Sequence, residues 1–501
     1  KRGFLPFLSA LVLASCGVME SVAQIGDVFS DQPTGSVSKT PSARQEEFDV
    51  AQVYQSPGVL AKTVRKAVGI VIADEPHAAL VGQSIINAGG NAADVATATY
   101  FALSVTYPNA AGLGGGGVCL HRDAETGQTE SIDFLPRSPS AGGKIAIPGN
   151  VRGFGLLHAR HGALPWNAVI QPAEKMAGGG APASRALVQR LAANSETIRR
   201  DSTLKALYVA PDDTLRREGD GVTQLSLAVT LGLIRSRGPV GFYTGETAKA
   251  LLDASKRAGG KVTGDDLRVY RPTAAQALRI DRDDRTVVAP ANRTGAGALA
   301  SAVWGALHGG KQTPDEPTAD RFRRVVQETL EDFEVKGALP VDFGSTGFLA
   351  VDKSGDAVAC AVTMNGPFGI GKMIKTTGFA IAPSPHSVGE GLAGAFLMPL
   401  IVLSQSDEIL FVGSAAGGPE AIVGEYALAH SLAIEKEGPM LEVYRGLRTG
   451  PTDPVNALYC RNGWPDSPRS CEFTSDPQGD GLGIEGGRKS DSDSGGFFDF
   501  L

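Results

Sequence analysis

Ser345 and Thr346 stand directly in front of two short apolar runs in "GSTGFLAVDKSGDAVACAVTMNGPFG", residues 344–369. Phe348 to Asp352 and Ala357 to Thr363 have strand composition, and Lys353-Ser354-Gly355-Asp356 between them has turn chemistry, so the pattern predicts a hairpin. A hydroxyl at its mouth is either strand punctuation or a nucleophile, and a nucleophilic hydroxyl requires a neighbouring base. Two other patterns carry possible chemistry. His158 and His161 lie three apart on one predicted helix, but no carboxylate or cysteine stands at matching spacing, which favours helix-face histidines over a metal site. The glycines of "AGLGGGGVCL" (Ala111 to Leu120) lack the Lys-Ser or Lys-Thr of a phosphate-binding loop. They also follow a helix and precede a strand, the reverse of a dinucleotide site. Close approach of backbone to backbone, or to a ligand, explains them better.

The elements that must position these residues are legible in outline. "AVGIVIAD" from Ala67 reads as a buried strand. His77 to Ala88 has helical spacing and stops at Gly89-Gly90, and Asn91 can cap a second helix over Ala92 to Val105, with Pro108 beyond its end. "AIPGNVRGFGLLHARHGALPW" (Ala146 to Trp166) is turn, amphipathic helix and turn. Several helices follow over 167–260, and "RTVVAPANRTGAGALA" returns to a strand and a Gly-rich turn.

At 501 residues the chain has ample material for a core, and its net charge of −7 argues against a general nucleic-acid binder. The N-terminus has the form of an export signal: Lys1-Arg2, an apolar run from Phe4 to Leu13, then Leu13-Ala14-Ser15-Cys16. Its end resembles a bacterial lipobox, so Cys16 is expected to carry lipid and place the protein on the periplasmic side of the envelope. Residues 17–65 read as a flexible tether, and the Gly/Asp/Ser-rich chain from about 472 as a loose tail. Cys119 and Cys360 lie in strand-like runs and read as small core residues. Cys460 and Cys471 bracket a loop in an exported chain and are expected to form a local disulfide.

Taken together, "GGNAADVATATYFALSVTYPNAAGLGGGG", "AIPGNVRGFGLLHARHGALPW", "GFYTGETAKALLDASKRAGGKVTGDDLRVY", "PANRTGAG" and the 344–369 stretch resemble the gamma-glutamyltranspeptidase family, in family order from about residue 66 to about 425. The resemblance implies an N-terminal-nucleophile hydrolase, an α+β four-layer αββα sandwich. It implies a precursor that cuts itself into a large portion (66–344) and a small one (345–501) that stay clasped, with no metal or other cofactor. A small amide or peptide of the glutathione type is the implied substrate. The new chain start then attacks a γ-glutamyl amide, its own α-amine, with a reference pKa of about 7.7–8.0, serving as base.

Carried over position by position, the family pattern puts Ser345 in register with the nucleophile, where Thr-Thr-His or Thr-Ser-His is usual and Ser-Thr-Gly stands here. Thr346 keeps the usual residue type but requires a one-residue slip, which would turn the strand's side chains to the wrong face. Thr363 matches the second threonine near the nucleophile, Asn365 follows it, and Gly417-Gly418 match the pair that helps hold the oxyanion. The substrate contacts fit less well. Leu135 stands where the family has an Arg for the α-carboxylate, leaving Arg137 as the nearest substitute. Ser387, after His386, stands at the Asp that holds the amino group, and Ala395-Phe396 replace a Ser-Ser pair. Each buried charged hydrogen bond is worth about 1.5–3 kcal/mol, so glutathione is expected to be a poor substrate. The leading expectation is an amide hydrolase or acyl transferase with altered specificity. The alternative is a weak or inactive relative acting as an envelope binding protein.

Overall fold

The computed structural model describes residues 62–487 apart from 65–67, 283, 292–294, 310–315, 333–338, 341, 386–393, 437 and 448–453. The export signal with Cys16, nearly all of the tether, His386, Ser387 and the last fourteen residues lie outside the described residues.

Two seven-stranded sheets form the middle of the molecule. The first runs, edge to edge, β16 (Leu482–Glu485), β2 (Ile70–Ala73), β10 (Ser345–Val351), β11 (Ala357–Thr363), β3 (Gly116–Arg122), β4 (Thr129–Asp133) and β7 (Thr273–Gln276). The second runs β1 (Lys62–Thr63), β15 (Cys471–Thr474), β14 (Val455–Trp464), β13 (Ile409–Ala416), β12 (Leu397–Ser404), β9 (Arg285–Ala289) and β8 (Leu278–Arg282). A two-residue pair, β5 (Ala181–Pro182) and β6 (Gly221–Val222), stands apart. All the pairings within the sheets are antiparallel.

Strand alternation separates the faces of each sheet. Along β10, Phe348 and Ala350 pack with Tyr100, Phe101 and Phe154 from the helices Ala92–Thr106 and Asn150–His161. Leu349 and Val351 turn the other way and meet Ile401, Val412 and Leu458 of the second sheet. That sheet's outer face packs Trp304, Phe322 and Tyr426 from the helices Gly295–Gly309, Thr318–Asp332 and Pro419–Ala429. Three apolar layers between four structural layers give the αββα sandwich expected from the sequence.

The helix Ala92–Thr106 is buried along its whole length and fixed at its start. Asn91 and Asp94 form a reciprocal capping box, and the Ala92 amide donates to Asp352 Oδ2 (3.0 Å) at the hairpin turn after β10. Asp352 Oδ1 accepts from the Ser354 and Asp356 amides, so one carboxylate ties the turn to the helix that covers it.

Four expectations need correction. Ser345 and Thr346 do not precede the strand; they are its first two residues, because Ser345 already pairs with Thr363. The chain from about 472 is not loose throughout: β15 pairs β14 and β16 pairs β2, so exposed strand edges are covered by backbone partners that a tally of Gly, Asp and Ser does not register. At the other end Lys62–Thr63, assigned to the tether, adds the edge strand β1.

Cys119 and Cys360 are not separate core residues. They face each other across β3 and β11 and form a disulfide whose Cα atoms are 4.1 Å apart. Their separation of 241 residues hides the pairing from sequence spacing. Cys460 and Cys471, opposed across β14 and β15, form the second disulfide.

Candidate active site

β10 opens in the middle of the first sheet, flanked by β2 and β11. Ser345 pairs with Thr363, and Thr363 pairs in turn with Gly116 of the glycine run. The glycines admit this crowding. A Cβ on Gly115 would stand 2.2 Å from the Thr363 carbonyl oxygen, and one on Gly117 would stand 2.4 Å from that of Ala361. The run is therefore a close backbone approach beneath the site.

The Ser345 hydroxyl stands 3.0 Å from Thr363 Oγ1 and is 3% exposed as a residue. Thr363 Oγ1 also accepts from the Asn365 amide (2.8 Å) and lies 3.1 Å from the Phe343 carbonyl. Asn365 takes a left-handed backbone, φ +54°, and its side-chain amide donates to the Pro383 carbonyl (3.1 Å). Asn is among the few non-glycine residues that adopt this conformation readily. Thr363 and Asn365 thus share one hydrogen-bonded corner with Ser345.

Thr346 has a different environment. Its hydroxyl donates to Asp74 Oδ2 (2.7 Å), which also accepts from the Gly347 amide (3.3 Å). Asp74 Oδ1 accepts from Asn456 Nδ2 (2.8 Å), and the same nitrogen donates to the Gly347 carbonyl (2.8 Å). Burial raises the Asp74 pKa above the usual carboxylate range, and the donors from Thr346, Asn456 and Gly347 pull it back in part. Ser345 and Thr346, adjacent on one strand, therefore have separate hydrogen-bond systems.

On the N-terminal side of Ser345, Gly344 is left-handed at φ +58°, and a Cβ there would meet the Gly366 carbonyl at 2.3 Å. Only glycine fits. Its carbonyl accepts from the Met364 amide (2.8 Å), and its own N–H donates to Asp342 Oδ1 (2.7 Å). Asp342 Oδ2 pairs with Arg190 Nη1 at 3.1 Å, and Arg190 Nε donates to the Tyr107 hydroxyl at 2.7 Å. Arg190 comes from the helix Arg185–Ala193, and Tyr107 is the C-cap of the helix Ala92–Thr106. Burial pushes the Tyr107 hydroxyl up to about 12, so it stays protonated at neutral pH.

The remaining candidates fall around this centre. Gly417 and Gly418 join β13 to the helix Pro419–Ala429, and a Cβ on Gly418 would meet the Phe343 ring at 3.4 Å. The glycine pair therefore lies against the segment that leads into Ser345. Leu135 packs with Val118, Ala361, Leu397 and Ala416. Arg137 bridges to Ile147 through its backbone, and its guanidinium lies 5.0 Å from the Tyr270 ring centroid. His158 contacts the Leu164 carbonyl (2.9 Å), and His161 contacts Glu130 (3.0 Å) and stacks on His121. Among the described residues no three His, Cys, Asp or Glu side chains converge as a metal site.

The sequence reading does not single out Asp74, Asn456, Arg190, Tyr107 or Asp342. Asp74 leaves a trace, a carboxylate closing the apolar run "IVIAD". The other four carry no local signal, because their partners are distant in sequence.

A hydroxyl residue opening a central strand of an αββα sandwich defines the N-terminal-nucleophile hydrolase type. Cephalosporin acylase from Bacillus halodurans shares this fold with a TM-score of 0.67 at 17% identity, over 85% of this chain and 97% of that one. The family model described as Gamma-glutamyltranspeptidase matches residues 78–331, just over half of the chain, and the chain belongs to that family. It is 34% identical over 230 residues to the glutathione hydrolase proenzyme of Escherichia coli strain K12, covering 42% of this chain and 39% of that protein. To the glutathione hydrolase proenzyme of Pseudomonas aeruginosa it is 28% identical over 400 residues, 66% of this chain and 70% of that one. With several other curated relatives, as with the Escherichia coli protein, the match spans about two fifths of the relative's length.

Proposed function

We propose that this chain is a self-processing amide hydrolase or acyl transferase acting on γ-glutamyl or related small amides, with Ser345 as its nucleophile. The observation that carries the reading is the paired geometry at residue 345. The Ser345 hydroxyl stands 3.0 Å from Thr363 Oγ1, and the Gly344 carbonyl before it is held by the Met364 amide at 2.8 Å. In the first step the Ser345 oxygen bonds to the Gly344 carbonyl carbon and the Gly344–Ser345 C–N bond breaks. The hydroxyl proton passes to the released nitrogen, and water then hydrolyses the ester. This leaves a carboxylate on Gly344 and a free α-amine on Ser345, dividing the chain into portions 66–344 and 345–501.

In turnover the α-amine takes the Ser345 hydroxyl proton while the oxygen attacks a substrate amide. The tetrahedral oxyanion forms beside the Gly417-Gly418 turn, and the amine leaves with the proton. Water or an amino acid then receives the acyl group. Each oxyanion donor contributes about 3 kcal/mol where comparable donors have been removed. Thr346, whose hydroxyl is committed to Asp74, is assigned a structural part. Leu135 and Ser387, in place of the family's arginine and aspartate, support altered specificity, and the lost contact to the donor's amino group makes glutathione a poor donor.

The test is a reducing gel with N-terminal sequencing. Wild-type protein should yield two bands, the smaller beginning at Ser345, and Ser345→Ala should remain one band. A small band beginning at Thr346, or an intact wild-type chain after long incubation, would overturn the assignment. The Cys16 reading further proposes a lipid-anchored enzyme on the periplasmic side of the envelope. Cys16→Ala should release it from the membrane fraction, and unchanged membrane association would refute the anchor.

A further inference from the structure

In self-cleavage, residues up to Gly344 form the acyl half of the bond that Ser345 attacks. In turnover, the substrate supplies that half. The surroundings of Asp342, Phe343 and Gly344 therefore indicate what the acyl side accommodates before the cut. There the internal acyl chain presents a carboxylate: Asp342 Oδ2 lies 3.1 Å from Arg190 Nη1, while Oδ1 accepts the Gly344 amide at 2.7 Å. Arg190 is held ready by its second contact, Nε to the Tyr107 hydroxyl at 2.7 Å, and its guanidinium lies 5.8 Å from the Tyr107 ring centroid. Arg190 and Asp342 are about one-quarter exposed as side chains, so the pair is partly open to solvent, whereas Tyr107 is 3% exposed.

We infer that Arg190, set by Tyr107, is the carboxylate-binding residue of the acyl site: Asp342 occupies it before cleavage, and the carboxylate of an acyl donor occupies it afterwards. The inference rests on the proposed self-processing function and extends it to a specificity-determining residue. It explains how a chain with Leu135 at the family's arginine position can still bind an anionic donor. The other basic candidate, Arg137, is placed against Tyr270. Asp74 also faces Arg190, but its carboxylate accepts from Thr346, Gly347 and Asn456, whereas Arg190 Nη1 donates to Asp342. A planar guanidinium suits a carboxylate better than an ammonium does, because it can donate through a fixed fork.

The test uses fully cleaved protein and two chromogenic donors, γ-glutamyl-p-nitroanilide and the same compound with its α-carboxylate converted to a carboxamide. Arg190→Ala should lower kcat/KM at least about tenfold for the carboxylate donor and less than about twofold for the carboxamide. Arg190→Lys, which keeps the charge, should retain part of the preference and serves where the alanine variant fails to fold. Equal losses on both donors, no loss on either, or a selective loss in Arg137→Ala with none in Arg190→Lys would overturn this inference while the cleaved, active wild type upholds the function. A wild-type chain that stays in one piece would overturn the functional reading and this inference together.

Discussion

Two of the buried carboxyl groups, Asp74 and Glu425, are treated in opposite ways. Asp74 accepts hydrogen bonds from Thr346, Gly347 and Asn456, drawn from β10 and β14 of different sheets. Glu425, in the helix Pro419–Ala429, is fully buried, and among the described residues neither carboxyl oxygen receives a well-formed hydrogen bond. The Ala415 amide offsets its burial only in part. Burial raises both pKa values, Glu425's well above the normal range. The difference lies in what each carboxyl organises. Asp74 joins the start of β10 to the opposite sheet, whereas Glu425 fills space behind Gly413, whose added Cβ would stand 2.6 Å from Glu425 Oε1.

The sharpest way to break this comparison is Asp74→Ala. It strands the Thr346 hydroxyl and the Asn456 amide in the interior and should cost about 3–5 kcal/mol in chemical denaturation, as for loss of one partner in a buried polar pair. It should also slow self-cleavage at least tenfold, on the scale of about 1.4 kcal/mol. A stability within about 1 kcal/mol of wild type would show that the network carries little.

The opposite sign is expected at the other carboxyl. Glu425→Met removes a poorly supported buried polar group and should raise stability by about 1–3 kcal/mol. The folded pKa lies above the unfolded one, about 4.3. Glu425 therefore favours the fold most at acid pH, and that contribution is lost as pH rises towards the folded value. The gain from Glu425→Met should accordingly grow with pH between about 5 and 8 in paired melts. A gain that stays flat across that range would mean that Glu425 is ionised in the fold. The smallest effect belongs to Thr346→Val, which removes one donor from Asp74 and should cost about 1 kcal/mol. Cleavage should still begin the small chain at Ser345, whereas loss of cleavage in Thr346→Val would assign Thr346 a larger part.

The hairpin, the two N-terminal helices and the fold class are legible from the sequence because each rests on local periodicity, punctuation or a long run of family-like segments. The corner of Ser345, Thr363 and Asn365 is legible for the same reason, all three lying on one hairpin and the turn after it. What escapes is set by long-range registration. Asn456 reaches Asp74 across 382 residues, and Asp342 reaches Arg190 across 152. Cys119 meets Cys360 only because β3 and β11 are neighbours. The edge strands β15 and β16 escape for another reason: their stability comes from backbone pairing, to which side-chain composition is nearly blind.

The Cys119–Cys360 bond has a consequence once the chain is cut before Ser345. Cys119 would belong to one product and Cys360 to the other, whereas Cys460 and Cys471 would both lie in the second. The two products would then be a single covalent molecule. Their separation would be governed by thiol chemistry rather than dilution, and thermal melting of the oxidised enzyme would be independent of protein concentration. Reduction of that one crosslink would restore mass action, so the reduced enzyme's midpoint would fall as it is diluted.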